Sequence, residues 1–280
     1  GDIVLVKEGN YAVVGTDRRF TPALYPVNSG TPENPIIFKN YPEHSVTIFM
    51  SSGTGPLIGS NRRDYIIWDG FKIVEGNSYH PDTGPVVFVG SASRKLTGCV
   101  IQNCEIIGSY VETTDNHDGI RIEHAQNIVV RNCIIHDVRG KNDWLNSAGI
   151  KLYYTNDILV EHNRIYDCST GIYDKDSGFR NKHKYNLIYG CVRGIYGPGN
   201  PFLSQDIEIS QNILSGCDSA IPVVCTTNNW KVYNNVIYNS TSRGIGVLNT
   251  NNQNVSLWNN IISNSYQPYG IDAGVNSLAY

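Results

Sequence analysis

Residues 158–165 read ILVEHNRI, and the phrase returns as NKHKYNLI (181–188), IEISQNIL (207–214), KVYNNVI (231–237) and SLWNNII (256–262). Each copy carries an asparagine after a run of alternating apolar residues. The five asparagines are Asn163, Asn186, Asn212, Asn235 and Asn260, spaced by 23, 26, 23 and 25 residues. Two earlier copies, VIQNCEI (100–106) and VVRNCII (129–135), place Cys104 and Cys133 at the same position. A repeat of this length marks stacked supersecondary units, each burying its apolar face on the next.

A second phrase follows each register residue. It reads DGIRI (118–122), AGIKL (148–152), TGIYD (170–174), RGIYG (193–197), SAIPV (219–223), RGIGV (243–247) and, more weakly, YGIDA (269–273). The segments around both phrases are short, rich in Ile, Val and Tyr, and bounded by Gly, Asn, Asp and Ser, so they read as strands and turns. A period of two dominates, with no amphipathic helix. Coils of about 25 residues with about three strands each describe a right-handed parallel β-helix, an all-β solenoid whose coils stack ~4.8 Å apart. A turn asparagine then bonds its own turn and the same residue one coil on. Cys168, Cys191 and Cys217 each fall five residues after their register residue, and Ser240 and Ser265 continue that column. The seven cysteines therefore read mainly as small buried apolar residues rather than disulfide or zinc partners.

One continuous core makes residues 1–280 a single domain. The opening GDIVLVKEGNY is already strand-like, so a leader and an N-terminal capping segment are expected to have been removed, and further coils or a partner are expected to follow GVNSLAY. A net charge of -3 gives no basic footprint for nucleic acid, and no apolar run approaches a membrane span. Oligomeric state is left open.

The repeat also fixes which side chains leave the core. One outward column is expected to run Val86, Arg121, Lys151, Tyr173, Tyr196, Pro222, Gly246, Asp272. A second runs Phe88, Glu123, Tyr153, Lys175, Pro198, Val224, Leu248, Gly274. Charged and aromatic groups concentrate at residues 115–200. Late coils need 8–10 residues between the two phrases, but those ending at Gly119 and Gly149 need 15 and 16. The extra residues, SYVETTDNHD (109–118) and VRGKNDWLNS (138–147), are expected to wall a groove floored by Arg121, Lys151 and Tyr173. Trp144, Tyr153 and Tyr196 suit stacking on sugar rings, with Arg193 and His117 as polar contacts.

The segments DNHDGIRIE (115–123) and NSAGIKLYY (146–154) resemble those of the right-handed β-helix polysaccharide lyases, most closely the family 9 pectate lyases. There, an Asp-Asp-Gly-x-Asp segment helps to bind calcium, and a Gly-Phe-Lys-Leu-Gly-Gly segment one coil later carries the catalytic lysine. Gly149-Ile150-Lys151-Leu152 matches the second, so the resemblance implies Lys151 as base. In the first, Asp118-Gly119 is kept, while His117 and Arg121 stand at acidic positions. Calcium is accordingly expected to bind weakly or not at all. If it binds, Asp115, Asp118 and Glu123 are its oxygen ligands.

The chemistry asks for a neutral base to take the proton α to a uronate carboxylate, and a lysine at pKa ~10.4 is charged. Arg121 and Lys175, one coil away on either side, disfavour the ammonium and lower that pKa. They also neutralise the substrate carboxylate. Tyr173 is the alternative base or leaving-group acid. The expected function is thus a secreted or periplasmic lyase of an acidic polysaccharide. Two alternatives stand beside it. One is a hydrolase drawing on Glu123, Asp174 and Asp118 as paired carboxylates. The other is a non-catalytic carbohydrate-binding or structural β-helix.

Overall fold

A computed structural model describes residues 1–18, 20–75, 85–91, 94–112, 116–143, 146–197, 203–224, 227–248, 253–271 and 276–279. Among these residues the chain is nearly all β, with one short 3-10 turn at Lys141–Asp143. Every strand pairing that places a residue beside its counterpart one coil on is parallel. Val100–Gln102 lies between Ile66–Asp69 and Val129–Arg131 in one sheet. Glu105–Ile107 lies between Lys72–Val74 and Ile134–His136 in a second, and Asp118–Gln126 lies between Pro85–Gly90 and Ala148–Asn156 in a third. The architecture is the expected parallel β-helix.

The register column forms one line of superposed turns. Backbone N–H groups of Ile134, Arg164, Leu187, Ile213, Val236 and Ile261 donate to the carbonyls of Cys104, Cys133, Asn163, Asn186, Asn212 and Asn235 in the preceding coil. The column begins one coil earlier, at Phe71, whose carbonyl accepts from Glu105 N. The residue just before each register residue has positive φ, from Gly70 and Asn103 through Asn132, His162, Tyr185, Gln211, Asn234 and Asn259. That left-handed residue sharpens the corner between two sheets, which is why Asn so often occupies it. The buried amides saturate one another: Asn186 Oδ1 accepts from both N and Nδ2 of Asn163, and Asn186 Nδ2 donates to Val160 O and Asn212 Oδ1, all at 3.0–3.1 Å.

Inside, Ile101, Val130 and Val160 of the first sheet meet Ile106, Ile135 and Ile165 of the second and Ile120, Ile150 and Ile172 of the third, all fully buried. Cys168, Cys191 and Cys217 are buried free thiols on consecutive coils, with Ser240 continuing the column. Cys225 lies outside the described residues.

The outward columns have the expected parity, but two joints slip by two residues. Phe88, not Val86, stands beside Arg121, because Val87 and Val89 pair with Ile120 and Ile122 to complete the core column. Gly270, not Asp272, stands beside Gly246. Pro198, Asp272 and Gly274 lie outside the described residues.

Candidate active site

Four consecutive coils present Arg121, Lys151, Tyr173 and Tyr196 side by side on the outer face of the third sheet. Alternation puts them there, since Ile120, Ile122, Ile150, Leu152, Ile172 and Ile195 turn inward. Outward does not mean exposed. Lys151 is 0% exposed, Arg121 5% and Tyr173 4%. The long loops cover this column rather than wall an open groove.

The cover is polar and specific. Lys151 Nζ lies 2.6 Å from Asp118 Oδ1 and donates to Asn116 Oδ1 at 3.0 Å and to the carbonyl of Asn146. Three oxygen acceptors match the three N–H donors of an ammonium. Asn146 Oδ1 also accepts from Lys175 Nζ at 3.2 Å, so one residue bridges two cations. Arg121 Nε donates to Glu123 Oε2 at 2.7 Å, and Arg121 Nη1 lies 3.4 Å from Asp118 Oδ2. Tyr153 sits between two cations, with Arg121 Cζ and Lys175 Nζ each 5.3 Å from its ring centroid. Tyr173 packs on Tyr196 at 4.6 Å, and Arg193 Cζ lies 4.1 Å from the Tyr196 ring.

Burial brings the Lys151 pKa down to about 8; the Asp118 carboxylate opposes the fall, and Arg121 and Lys175 add to it. The direction is the one expected from the neighbouring cations. The larger cause, desolvation under the two loops, was not anticipated. An amine titrating near 8 is neutral in a usable fraction at mildly alkaline pH. Tyr153 moves the other way, its phenol pushed up by burial, which makes it a poor proton acceptor.

Several expected roles change. His117 is 0% exposed, and its ring is directed to Glu75 rather than to the outer column that carries Lys151, so it is not the substrate contact expected; its Nε2 lies 3.0 Å from Ser109 O and 3.4 Å from Glu75 Oε2. Asp174 pairs with Leu152 and faces the core, where His183 Nε2 and Asn181 Nδ2 lie 3.1 and 2.9 Å from Oδ2. It cannot serve as a hydrolase carboxylate. Asp118 is sealed between Lys151 and Arg121, and Glu123 is held by Arg121. These two carboxylates therefore already face cations where a calcium ion would need them, and the residues present do not fit that metal. Among the described residues no group of three or more His, Cys, Asp or Glu is placed to hold one. Trp144 and Asp115 lie outside the described residues. Tyr153 with Lys175, and Arg193 with Tyr196, form two half-buried pairs.

Asn116 and Asn146 were missed, although the sequence carried their signal. Each lies three residues before its phrase glycine, Gly119 or Gly149. Equivalent positions on successive coils share one place in space, so the pair roofs one lysine. Glu75 was missed for want of any repeat partner.

A family model described as "Right handed beta helix region" matches residues 66–237. Among solved structures, the chain is similar to an alginate lyase from Paenibacillus sp. str. FPU-7, at 14% identity over 99% of this chain and 93% of that one, with a TM-score of 0.71. It is similar to the pectate lyase Pel9A at 14% identity over 99% and 71%, with a TM-score of 0.57. A complex of XylC with xylose gives 14% identity over 89% and 55%, with a TM-score of 0.50. None of the curated proteins compared matches the sequence at a significant level. At these identities the fold is what is shared. Coils, ladder and family match together place this chain in the right-handed β-helix family.

Proposed function

We propose that this chain is a polysaccharide lyase that cleaves a uronate-containing, acidic polymer by β-elimination, with Lys151 as the base. The observation that carries the reading is the covered lysine, brought to a pKa of about 8 by burial beside Arg121 and Lys175. A base of that strength removes a proton α to a carboxylate once the carboxylate is neutralised. Lys175, half-buried beside Tyr153, is the cation that a substrate meets first. Arg121 is enclosed by Asp118 and Glu123 and acts through Lys151. Tyr173 pairs beside Lys151 in the column and is our candidate for the acid that protonates the departing sugar oxygen. In the elimination the Cα–H electrons form the new double bond, the C4–O bond breaks, and the leaving oxygen takes a proton. Substrate entry must displace Asn116 and Asn146, which fill the ammonium's hydrogen bonds at rest. Two of the solved structures that this chain is similar to, each over 99% of its length, are named a pectate lyase and an alginate lyase, which agrees with the substrate class. Action on a polymer outside the cell implies a secreted or periplasmic protein.

A second reading, a non-catalytic carbohydrate-binding β-helix, is favoured by one fact: Lys151 is wholly enclosed with acceptors for three N–H groups. The test is a panel of acidic and neutral polysaccharides followed by unsaturated-product absorbance and by reducing-sugar release. Absorbance with acidic polymers supports the lyase. Reducing ends without absorbance indicate hydrolysis, and binding with neither signal supports the second reading.

A further inference from the structure

The segment 116–118 is gripped on both sides. Asn116 and Asp118 reach outward to Lys151 Nζ, while His117 between them turns the opposite way and is fully buried. There it meets Glu75, which follows the strand Lys72–Val74 one coil earlier and whose side chain is 7% exposed. Glu75 Oε2 accepts from Ser109 Oγ at 2.8 Å and lies 3.4 Å from His117 Nε2. His117 Nε2 is also 3.0 Å from Ser109 O. Ser109 and His117 are the two ends of the long loop, so one buried carboxylate clasps that loop at its base. Beyond the clasp, His117 O accepts from Ala148 N at the start of the lysine's own strand.

A buried carboxylate is costly without partners, and this one stands away from the outer column. Nothing in the repeat requires it. Its effect is to fix where residues 116 and 118 stand.

We propose that Glu75 and His117 form a positioning unit that holds Asn116 and Asp118 over Lys151, so that the closed cover, and with it the lysine's burial, depends on this pair. The inference rests on the reading of Lys151 as the base and deepens it. Neither residue touches substrate. The charged groups facing the lysine are Asp118, Arg121 and Lys175. With the clasp undone, Asn116 and Asp118 retreat and water reaches Nζ. Burial is the larger cause of the lowered pKa, so the lysine then titrates at higher pH.

The test uses the full chain with His117→Ala, His117→Gln and Glu75→Gln. Two readouts need no activity. The first is the rate at which an amine-reactive acylating reagent labels Lys151, followed by peptide mass spectrometry. The second is the titration of Lys151 in lysine-labelled protein by NMR. For His117→Ala we expect labelling to rise by about tenfold or more, as for the loss of one buried hydrogen bond, and the titration to move upward. His117→Gln, whose amide still donates to Ser109 O, is expected to recover most of the protection. A general loss of stability would expose other lysines too and would not be rescued by Gln. If His117→Ala does not fold, Glu75→Gln decides by the same signs. Unchanged labelling and titration in folded His117→Ala, or in folded Glu75→Gln where His117→Ala does not fold, overturn the proposal, whether or not the protein is a lyase. A protein that cleaves nothing yet shows both shifts keeps the clasp and loses the lyase reading.

Discussion

Lys151 Nζ and Asp118 Oδ1 are 2.6 Å apart, and both side chains are fully shielded from solvent although both lie outside the β-helix core. A residue that leaves the core and is still buried binds the cover to the solenoid. Removing it is a structural as well as a chemical change. Lys151→Met leaves a buried Asp118 with Arg121 as its remaining cation, at 3.4 Å. Breaking a buried pair from one side costs about 3–5 kcal/mol, and the low end is expected here because Arg121 remains. Lys151→Met with Asp118→Asn should recover much of that loss. Urea unfolding of the two single variants and the double checks this, and additive losses would show that the pair is not coupled.

The pH dependence follows from the same lysine. Its pKa is about 8 when folded, against an ordinary ~10.4 when unfolded. Cleavage should climb as pH rises through 8 and then level off, since the neutral amine is the base. Stability moves in the same direction for a different reason. Between the two pKa values the unfolded chain binds more protons, so stability rises with pH across that window. Below pH 8 the enclosed ammonium costs about 3 kcal/mol relative to an unshifted lysine. Lys151→Arg keeps the charge at every usable pH and should be inactive throughout. Initial rates from pH 6 to 10, beside thermal melts of wild type, check both arms. A rate that falls through pH 8 would remove Lys151 as base.

The asparagine ladder makes a separate prediction. Asn212 Oδ1 accepts from N and Nδ2 of Asn186, and its Nδ2 donates to His183 O and Asn235 Oδ1. Asn212→Leu leaves these buried groups unpaired, at ~1–3 kcal/mol each, so a loss of about 3 kcal/mol or more is expected. Asn260, part-exposed in the last rung, should cost about 1 kcal/mol on change to Ala, because water replaces its partners. Equal losses at both positions would contradict a ladder whose worth lies in burial.

These contrasts show what could be read from the chain and what could not. The ladder was legible because one residue type, able to donate and accept, recurs within a fixed phrase. Parity was legible too, since Ile on either side of Arg121 and Lys151 leaves no other direction for them. Parity also puts Asp174 inside, at the position of Ile122 and Leu152, against its place among the hydrolase carboxylates. The inward His183, whose Nε2 lies 3.1 Å from Asp174 Oδ2, shows how burial of this Asp is accommodated. Register at Phe88 and Gly270 failed where the phrase decays. The enclosure of Lys151 was hidden for a different reason: its cover comes from loops, whose paths no period dictates.

The thiol column tests the core from within. Burial pushes the Cys99 thiol up to about 12, and the Cys191 and Cys217 thiols are also raised. Thiolate is the reactive form, so labelling should wait on unfolding. Peptide-resolved alkylation should find Cys168, Cys191 and Cys217 unmodified in native protein and fully modified in denaturant. Rapid native labelling of the three would mean that the coils open locally.

Arg121→Ala is the most discriminating substitution at the site. Arg121 lies beside Lys151 in the column and lowers its pKa, while holding Asp118 from the other side. Removing it acts twice in one direction. The like charge disappears, and Asp118 is left to Lys151 alone, which favours the ammonium. The rising limb of the rate profile should therefore move above pH 8, by about one unit if roughly 1.4 kcal/mol of interaction is lost. The plateau rate at high pH should survive better than the rate at pH 7, because the base is weakened in availability rather than deleted. KM for an acidic polymer should change little if Lys175, and not the enclosed Arg121, receives the carboxylate. Lys175→Ala should show the opposite pattern, with KM raised and the profile moved less. Rate against pH and substrate concentration for wild type, Arg121→Ala and Lys175→Ala separates the two roles. A profile left at pH 8 by Arg121→Ala, with KM raised several-fold, would make Arg121 the carboxylate-binding cation instead.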